Sequence, residues 1–225
     1  MAKKLLTETD VRNAIKRGEK SIALELRTII TPSAKDVLQQ FGISVTVKDS
    51  TQQRIPSTQG ETSYHQSPIV HSTVGNSIIV IGCDHGGYAT KELIKKFLTE
   101  KGYSILDIGT MSEEPCDYPD YAYAVGRIVS KGEAWRGIMI DATGVASAIV
   151  CNKIPGVRAV PCYNEFVAQS SREHNDANVL TIGAKAMGIE SIKSIVVVWL
   201  ETWFGGGRHK KRVDKISDIE KKFSR

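Results

Sequence analysis

The chain has 225 residues, of which 41% are hydrophobic and 24% charged, and its formal net charge is +5. This length and composition fit a protein with one sizeable core and a smaller additional unit. No apolar run approaches the roughly 20 residues that span a bilayer, and the polar start is unlike a secretory signal. We therefore expect a cytoplasmic protein with no membrane partner. The four cysteines form no Cys-x-x-Cys pair, so we expect reduced thiols and no structural metal.

Residues 1–50 are predicted to form a small α+β unit. Thr7 and Asp10 are N-cap candidates for a short helix that Gly18 ends, and strand-like residues follow at 22–30. A Thr-Pro-Ser sequence at 31–33 begins a second helix that stops at a glycine before strand-like residues 43–47.

Residues 51–76 differ in composition from both neighbouring segments. They are rich in Ser, Thr, Gln, Gly and Pro and show hardly any apolar periodicity. Such a segment buries too little apolar surface to offset the entropy of ordering it. We predict a flexible linker between the N-terminal unit and a larger domain at 77–225.

The larger domain alternates predicted strands and helices. The strands are 78–81, 104–108, 137–140, 157–160 and 179–182, and the helices are 91–100, 121–131, 144–152, 164–171 and 191–202. Repeated βα units predict an α/β fold, a doubly wound, Rossmann-like parallel sheet with helices on both faces. The Gly-rich stretch after the first of these strands lacks the Gly-x-Gly-x-x-Gly spacing, so we expect no nicotinamide cofactor.

Acid–base side chains follow two of these strands. Asp84 and His85 follow the first, and Asp141 ends the third, before a turn that contains Thr143 and Gly144. Ligands of open parallel sheets bind outside the carboxyl ends of the strands, often at a helix N-terminus that favours anions. Asp141 could therefore face a ligand, although an isolated Asp before a helix can also simply cap it.

Further candidates lie toward the C-terminus. His174 sits among charged residues, and a basic run covers 208–212. The run has no accompanying nucleic-acid motif or aromatic-rich segment, so we expect no nucleic-acid partner and favour a small phosphate ester. Together these groups indicate a site that moves protons on an anionic substrate.

Five motifs resemble the ribose-5-phosphate isomerase B family, which also contains the two subunits of galactose-6-phosphate isomerase. They are Gly82-Cys-Asp-His-Gly-Gly-Tyr88, Asp117-Tyr-Pro-Asp-Tyr121, Asn152-Lys-Ile-Pro-Gly-Val-Arg158, Arg172-Glu-His-Asn-Asp-Ala-Asn178 and Gly206-Gly-Arg-His-Lys-Lys-Arg212. The resemblance spans 78 to about 217. It implies aldose–ketose isomerisation of a sugar phosphate through a cis-enediolate, with neither metal nor redox cofactor. It also implies a homodimer or homotetramer whose sites lie between subunits.

The resemblance also implies roles for individual residues. The catalytic set is Asp141, His174, Thr143 and Asp84, and the substrate-binding set is His85, Tyr118, Gly144, Asn175, Arg208 and Arg212. His174 and Asp84 would assist ring opening, while the two arginines and His85 would hold the phosphate. The turn at Thr143 and Gly144 would donate N–H groups to the enediolate oxygens, and Tyr118 and Asn175 would line the sugar site.

One position departs from the family pattern. Asp141 stands where ribose-5-phosphate isomerases of this family usually have a cysteine base, and Ser147 stands where some members have a glutamate. Residues 140–142 instead resemble the A subunit of galactose-6-phosphate isomerase. Three hypotheses follow: an isomerase of ribose 5-phosphate and ribulose 5-phosphate that uses Asp141 as base, an isomerase fold that only binds a sugar phosphate or a partner, or one subunit of a heteromeric isomerase whose partner supplies the cysteine.

The N-terminal unit shows a second resemblance. Lys4-Leu5-Leu6-Thr7 and Ile29-Ile30-Thr31-Pro32-Ser33-Ala34 are similar to the start of an ethanolamine-utilisation protein found with bacterial microcompartments. This implies a location inside a microcompartment and a shell or cargo partner that binds residues 1–50, although a plain helical extension remains the alternative. Because all candidate site residues follow residue 83, we expect deletion of 1–76 to leave folding and turnover largely intact.

Overall fold

The computed structural model describes residues 5–25, 28–48 and 78–223, so the predicted linker lies outside the described residues. The N-terminal unit contains strands β1 (Leu5–Leu6), β2 (Ser21–Glu25), β3 (Ile29–Ile30) and β4 (Ser44–Lys48), and helices α1 (Glu8–Lys16) and α2 (Pro32–Phe41). Strand β1 pairs in parallel with β3, and β2 pairs in parallel with β4. The unit therefore consists of two similar strand–helix–strand halves.

Each half begins its helix in the same way. The hydroxyl of Thr7 accepts the N–H of Asp10 at 3.4 Å, and the hydroxyl of Thr31 accepts the N–H of Ala34 at 3.2 Å. Gly42 ends α2 in a left-handed conformation at φ 63°, which favours glycine. The single strand-like segment predicted at 22–30 is instead two strands, because β2 ends the first half and pairs with β4, whereas β3 begins the second half and pairs with β1.

The larger domain contains a five-stranded parallel sheet in the order β6-β5-β7-β9-β8. Its strands are β5 (Ile78–Cys83), β6 (Ser104–Asp107), β7 (Arg136–Asp141), β8 (Ala159–Pro161) and β9 (Val179–Gly183). Its helices are α3 (Tyr88–Glu100), α4 (Tyr118–Ser130), α5 (Val145–Cys151), α6 (Glu165–Asn175), α7 (Ile189–Glu201) and α8 (Gly207–Phe223). One face of the sheet packs against α4 and α5, and the other packs against α3, α6 and α7. The predicted α/β class is confirmed.

Helices α3, α4 and α6 extend beyond their predicted bounds, α3 by beginning at Tyr88 rather than at residue 91, and α8 was not predicted. Helix α4 begins three residues earlier, at Tyr118, because proline is tolerated at the first turn of a helix. Helix α6 continues to Asn175 and ends at Asp176, which has a positive φ of 49°. Helix α8 extends well beyond the basic run at 208–212. It buries only His209 and Val213, so its sequence shows little of the apolar periodicity that predicts a helix. In the described part of the chain, no helix is long and apolar enough to cross a membrane.

The N-terminal unit shares a buried cluster with the larger domain. Leu5 is 4% exposed and belongs to the same cluster as Ile108 and Tyr121, and Ile29 packs against it. These contacts involve the first turn of α4 and the end of β6. Deleting the unit would therefore uncover apolar surface on the larger domain.

Candidate active site

One group of predicted site residues lies at the carboxyl edge of the sheet. Asp84 follows β5 and is 7% exposed, and its carboxylate accepts the N–H of Gly87 at 3.0 Å. Burial raises the pKa of Asp84, the Gly87 N–H acts against that shift, and the nearby charge of Asp141 raises the pKa further. The carboxylates of Asp84 and Asp141 are therefore close enough to interact electrostatically where β5 and β7 end.

Asp141 is held within its own turn by four hydrogen bonds. One oxygen accepts the N–H groups of Thr143, at 2.7 Å, and Gly144, and the other accepts the hydroxyl and N–H of Ser147, the latter at 3.2 Å. A carboxylate offers about four lone-pair sites, so these bonds occupy its capacity. The N–H groups predicted to face an enediolate are donated to Asp141 in this structure. Their use by a substrate would require Asp141 to release them.

Glycine is required at the centre of this turn. Gly144 has φ 81°, and a Cβ there would lie 3.0 Å from the carbonyl carbon of Ile182. The turn is also held from outside, since the hydroxyl of Tyr163 donates to the carbonyl of Thr143 at 3.0 Å. The Asp141 turn is therefore fixed both by its backbone conformation and by a neighbouring side chain.

His85 connects this edge to the segment before α4. The neutral ring can accept the N–H of Cys116 on Nδ1 at 3.2 Å, and a protonated ring can donate from Nδ1 to the Cys116 carbonyl at 3.1 Å. Both protonation states therefore have a partner in the same residue. Tyr118, two residues further on, begins α4 and is partly buried against the main cluster.

The second group of predicted residues surrounds two stacked imidazoles. His174 in α6 and His209 in α8 have ring centroids 4.2 Å apart and an interplanar angle of 7°. Ser170 Oγ lies 3.1 Å from Nδ1 of His174. Desolvation lowers the pKa of His209, and the positive charges of His174, Arg208 and Arg212 lower it further. Two arginines and two histidines thus form a cationic cluster.

The two groups lie at opposite edges of the sheet. Helix α6 connects the end of β8 to the start of the parallel strand β9, so its last residues, His174 and Asn175, lie at the amino edge. Arg158, immediately before β8, confirms this position because its Nε donates to the carbonyl of Asn175 at 3.0 Å. Strand β7 between the edges has six residues, roughly 17 Å at about 3.3 Å per residue. A single chain therefore brings together six of the ten predicted site residues at the carboxyl edge and the other four at the amino edge.

Sequence reasoning did not find three of the contacts around these groups. The hydrogen bond from the Ser147 hydroxyl to Asp141 joins residues six positions apart in the sequence. The contacts of Cys116 with His85 and of His209 with His174 join residues at least 31 positions apart. Only the neighbouring motifs, Asp-Tyr-Pro after Cys116 and the basic run around His209, marked these segments as notable.

Residues 79–216 match the sequence pattern of the ribose/galactose isomerase family. The chain belongs to this family. It is 46% identical over 144 residues to ribose-5-phosphate isomerase B of Escherichia coli, a match that covers 64% of this chain and 97% of the relative. It is 36% identical to D-erythrulose-4-phosphate isomerase of Pectobacterium atrosepticum, over 63% of this chain and 94% of that protein.

Solved structures match the same part of the chain. Ribose-5-phosphate isomerase B of Clostridium thermocellum shares 48% identity and a TM-score of 0.65, covering 65% of this chain and 99% of that one. The Mycoplasma genitalium protein, solved with bound ribulose 5-phosphate, shares 36% identity and a TM-score of 0.62, covering 64% and 96%. Because nearly the whole of each relative is covered, the larger domain corresponds to an entire family member and the N-terminal unit is additional.

Proposed function

We propose that this chain is an aldose–ketose isomerase that interconverts ribose 5-phosphate and ribulose 5-phosphate. The observation that carries the proposal is the pair of complementary half-sites: buried carboxylates beside an N–H-rich turn at one edge, and a cationic cluster at the other. Carboxylates can transfer the proton, and arginines present forked donors to a phosphate. The family and the named relatives support the same reaction class.

A second copy of the chain completes each site in this proposal. His174, Asn175, Arg208 and Arg212 of one copy meet Asp84, His85, Tyr118 and Asp141 of the other. The exposed apolar side chains on α5 and α8 support pairing of copies, since Val145 and Ile149 on α5 and Ile216 and Ile219 on α8 are each 46–58% exposed. A homodimer is the minimum assembly, and a homotetramer would contain such pairs.

The proposed chemistry begins with ring opening. His174 and Asp84 move the proton between the ring oxygen and the anomeric hydroxyl, which gives the open-chain aldehyde. Asp141 then removes the proton from C2, the electrons move to the C1 carbonyl oxygen, and an enediolate forms. Transfer of the proton from the C2 oxygen to the C1 oxygen and return of the proton from Asp141 to C1 then give the ketose. Arg208, Arg212 and His85 hold the phosphate, and Tyr118 and Asn175 contact the sugar.

Ser147 governs the availability of Asp141 in this scheme. Of the four donors on the carboxylate, three are backbone N–H groups and one is the Ser147 hydroxyl. A hydroxyl rotates at little cost, whereas the N–H groups are fixed by the turn. Rotation of the Ser147 hydroxyl frees a lone pair on one oxygen of Asp141 for the substrate proton.

The decisive experiment follows the carbonyl signal of ribose 5-phosphate, ribulose 5-phosphate, galactose 6-phosphate and erythrulose 4-phosphate with the purified full chain. Asp141→Asn should lower kcat at least about 10²-fold, as expected for loss of a general base. Asp141→Cys, which restores the usual family residue, should retain far more activity. If both variants match the wild type, Asp141 is not the base.

A binding protein without turnover is the second candidate, because all four acceptor sites of Asp141 are occupied. Calorimetry with ribose 5-phosphate separates the cases: binding without isomerisation favours this candidate. Activity that appears only with a cysteine-bearing homologue favours a heteromeric isomerase.

For the N-terminal unit we propose docking to a microcompartment shell or a packaged partner. This rests on its two motifs and on its absence from the matched relatives. A fluorescent protein fused to residues 1–50 should form puncta in cells that build such compartments. Diffuse fluorescence there would contradict the proposal.

A further inference from the structure

The N-terminal unit contacts the part of α4 that lies next to the candidate active site. Leu5 and Ile29 pack in the buried cluster that contains Tyr121, and Tyr118 and Cys116 pack against the same cluster. Cys116 also contacts His85. The unit therefore shares a buried cluster with residues that border the carboxyl-edge half-site.

Asp120 is the polar centre of this interface. Its side chain is buried, at 6% exposure, and its carboxylate interacts with the hydroxyl of Thr31 and the backbone N–H of Glu8. The Thr31 hydroxyl already accepts the N–H of Ala34 at 3.2 Å, so its hydrogen is free to be donated to Asp120.

The repeated architecture of the unit explains how one carboxylate reaches both halves. Glu8 is the first residue of α1, and Thr31 is the N-cap of α2, so Asp120 meets the N-terminal ends of both helices. Helix N-terminal ends carry partial positive charge and unsatisfied N–H groups, which stabilise an anion. Burial raises the pKa of Asp120, while the Thr31 and Glu8 contacts act in the opposite sense.

Asp120 lies in the first turn of α4, two residues after Tyr118. A backbone hydrogen bond from the Asp120 N–H to the Asp117 carbonyl, at 3.3 Å, helps to fix that turn. A second anchor on the same turn restricts the position of Tyr118 at the edge of the site.

We infer that the N-terminal unit is a positioning element of the isomerase site, and that Asp120 is the residue through which it fixes the start of α4 and the Tyr118 side chain. This rests on the proposed function, because it takes Tyr118 to contact the sugar. The unit thereby affects the affinity for substrate, in addition to any docking role.

The kinetic test uses full-length variants. Asp120→Ala and Thr31→Val should each raise KM for ribose 5-phosphate about 3–10-fold with kcat within twofold, because they remove a polar contact at a buried carboxylate but no group that takes part in chemistry. Thr31→Ser keeps the hydroxyl and should restore the wild-type KM. The control is Thr46→Val on β4, which makes the same change at an exposed position.

The effects of substituting Thr31 and Asp120 on KM should also be coupled. If Thr31 acts through Asp120, the double variant should have about the same KM as either single variant, and the effects should not multiply. Multiplicative effects, or an unchanged KM in both single variants, would overturn the inference. Asp120→Asn replaces Asp120→Ala if the latter does not fold.

Hydrogen exchange provides a readout that needs no turnover. The amides of Tyr118, Asp120 and Tyr121 should exchange faster in Asp120→Asn and Thr31→Val, and at the wild-type rate in Thr31→Ser and Thr46→Val. If amide exchange is unchanged in both Asp120→Asn and Thr31→Val, the anchoring role of Asp120 is refuted, whether or not the enzyme is active. If exchange responds but no sugar phosphate is isomerised, the proposed function fails while the anchor stands.

Discussion

Two inactive variants should restore activity to each other when mixed. Asp141→Asn damages the carboxyl-edge half-site, and Arg208→Ala damages the amino-edge cluster, roughly 17 Å away along a six-residue strand at about 3.3 Å per residue. In a dimer that contains one chain of each variant, one site receives both substitutions and the other receives neither. Complementation is therefore a direct consequence of the two groups lying at opposite edges.

The size of the effect follows from random pairing. Equal amounts of the two variants should give heterodimers as about half of all dimers, and one of the two sites in each heterodimer is intact, so about a quarter of wild-type activity returns. Each variant alone should fall at least about 10²-fold in kcat/KM. The assay compares the two proteins refolded together with the same proteins refolded separately and then combined.

A matched control places both substitutions on one chain. When the double variant is mixed with wild type, intact sites should remain only in the wild-type homodimers. When it is mixed with either single variant, no intact site should form, because one of the two half-sites is then damaged in both chains. If the single variants refolded together are no more active than the same variants refolded separately and then combined, each site is made within one chain. That result would refute the two-copy site.

Other predictions concern phosphate binding, pH, assembly and truncation. Arg208→Ala or Arg212→Ala should weaken phosphosugar binding in calorimetry more than Lys210→Ala or Lys211→Ala, since the forked guanidinium donors suit a phosphate; equal losses would indicate diffuse charge. Because the pKa of His209 is lowered in the folded state, the unfolded state binds more protons, and Tm should fall as pH drops below about 6.5; His209→Gln should reduce that fall. Light scattering should give at least a dimer at micromolar concentration, and a strict monomer would contradict the site. Deleting residues 1–76, which the sequence alone predicts to leave folding largely intact, should lower Tm because the buried contacts of Leu5 and Ile29 are lost, and burial of a leucine or isoleucine side chain contributes about 1.5–3 kcal/mol.

Local signals in the sequence were sufficient for most of the large domain. The apolar runs at 78–81 and 137–140 predicted β5 and β7 to within two residues of their observed ends, and in the N-terminal unit residue type alone predicted the Thr-Pro start and the Gly42 end of α2. Such features depend on neighbours within one helical turn or one strand, where side-chain period and capping chemistry act directly.

Contacts between distant segments were not available from the sequence. Strand β1 is only two residues long, too short for a period, and it exists because Leu5 and Leu6 pair with Ile29 and Ile30. The contact of Leu5 with the cluster around Tyr121 likewise joins residues more than a hundred positions apart. The family resemblance suggested the candidate site residues, but only the three-dimensional arrangement revealed that Asp141 accepts the N–H groups that the resemblance assigns to the enediolate.

The opposite placement of the two half-sites has a consequence for how the protein responds to dilution. A site assembled from two chains exists only in the associated fraction, so mass action makes specific activity depend on total protein. Well below the dissociation constant of the pair, the number of sites rises with the square of chain concentration, and a tenfold dilution lowers the rate about a hundredfold. Gathering the chains into a small volume would then raise turnover per molecule without any change in the residues that perform it.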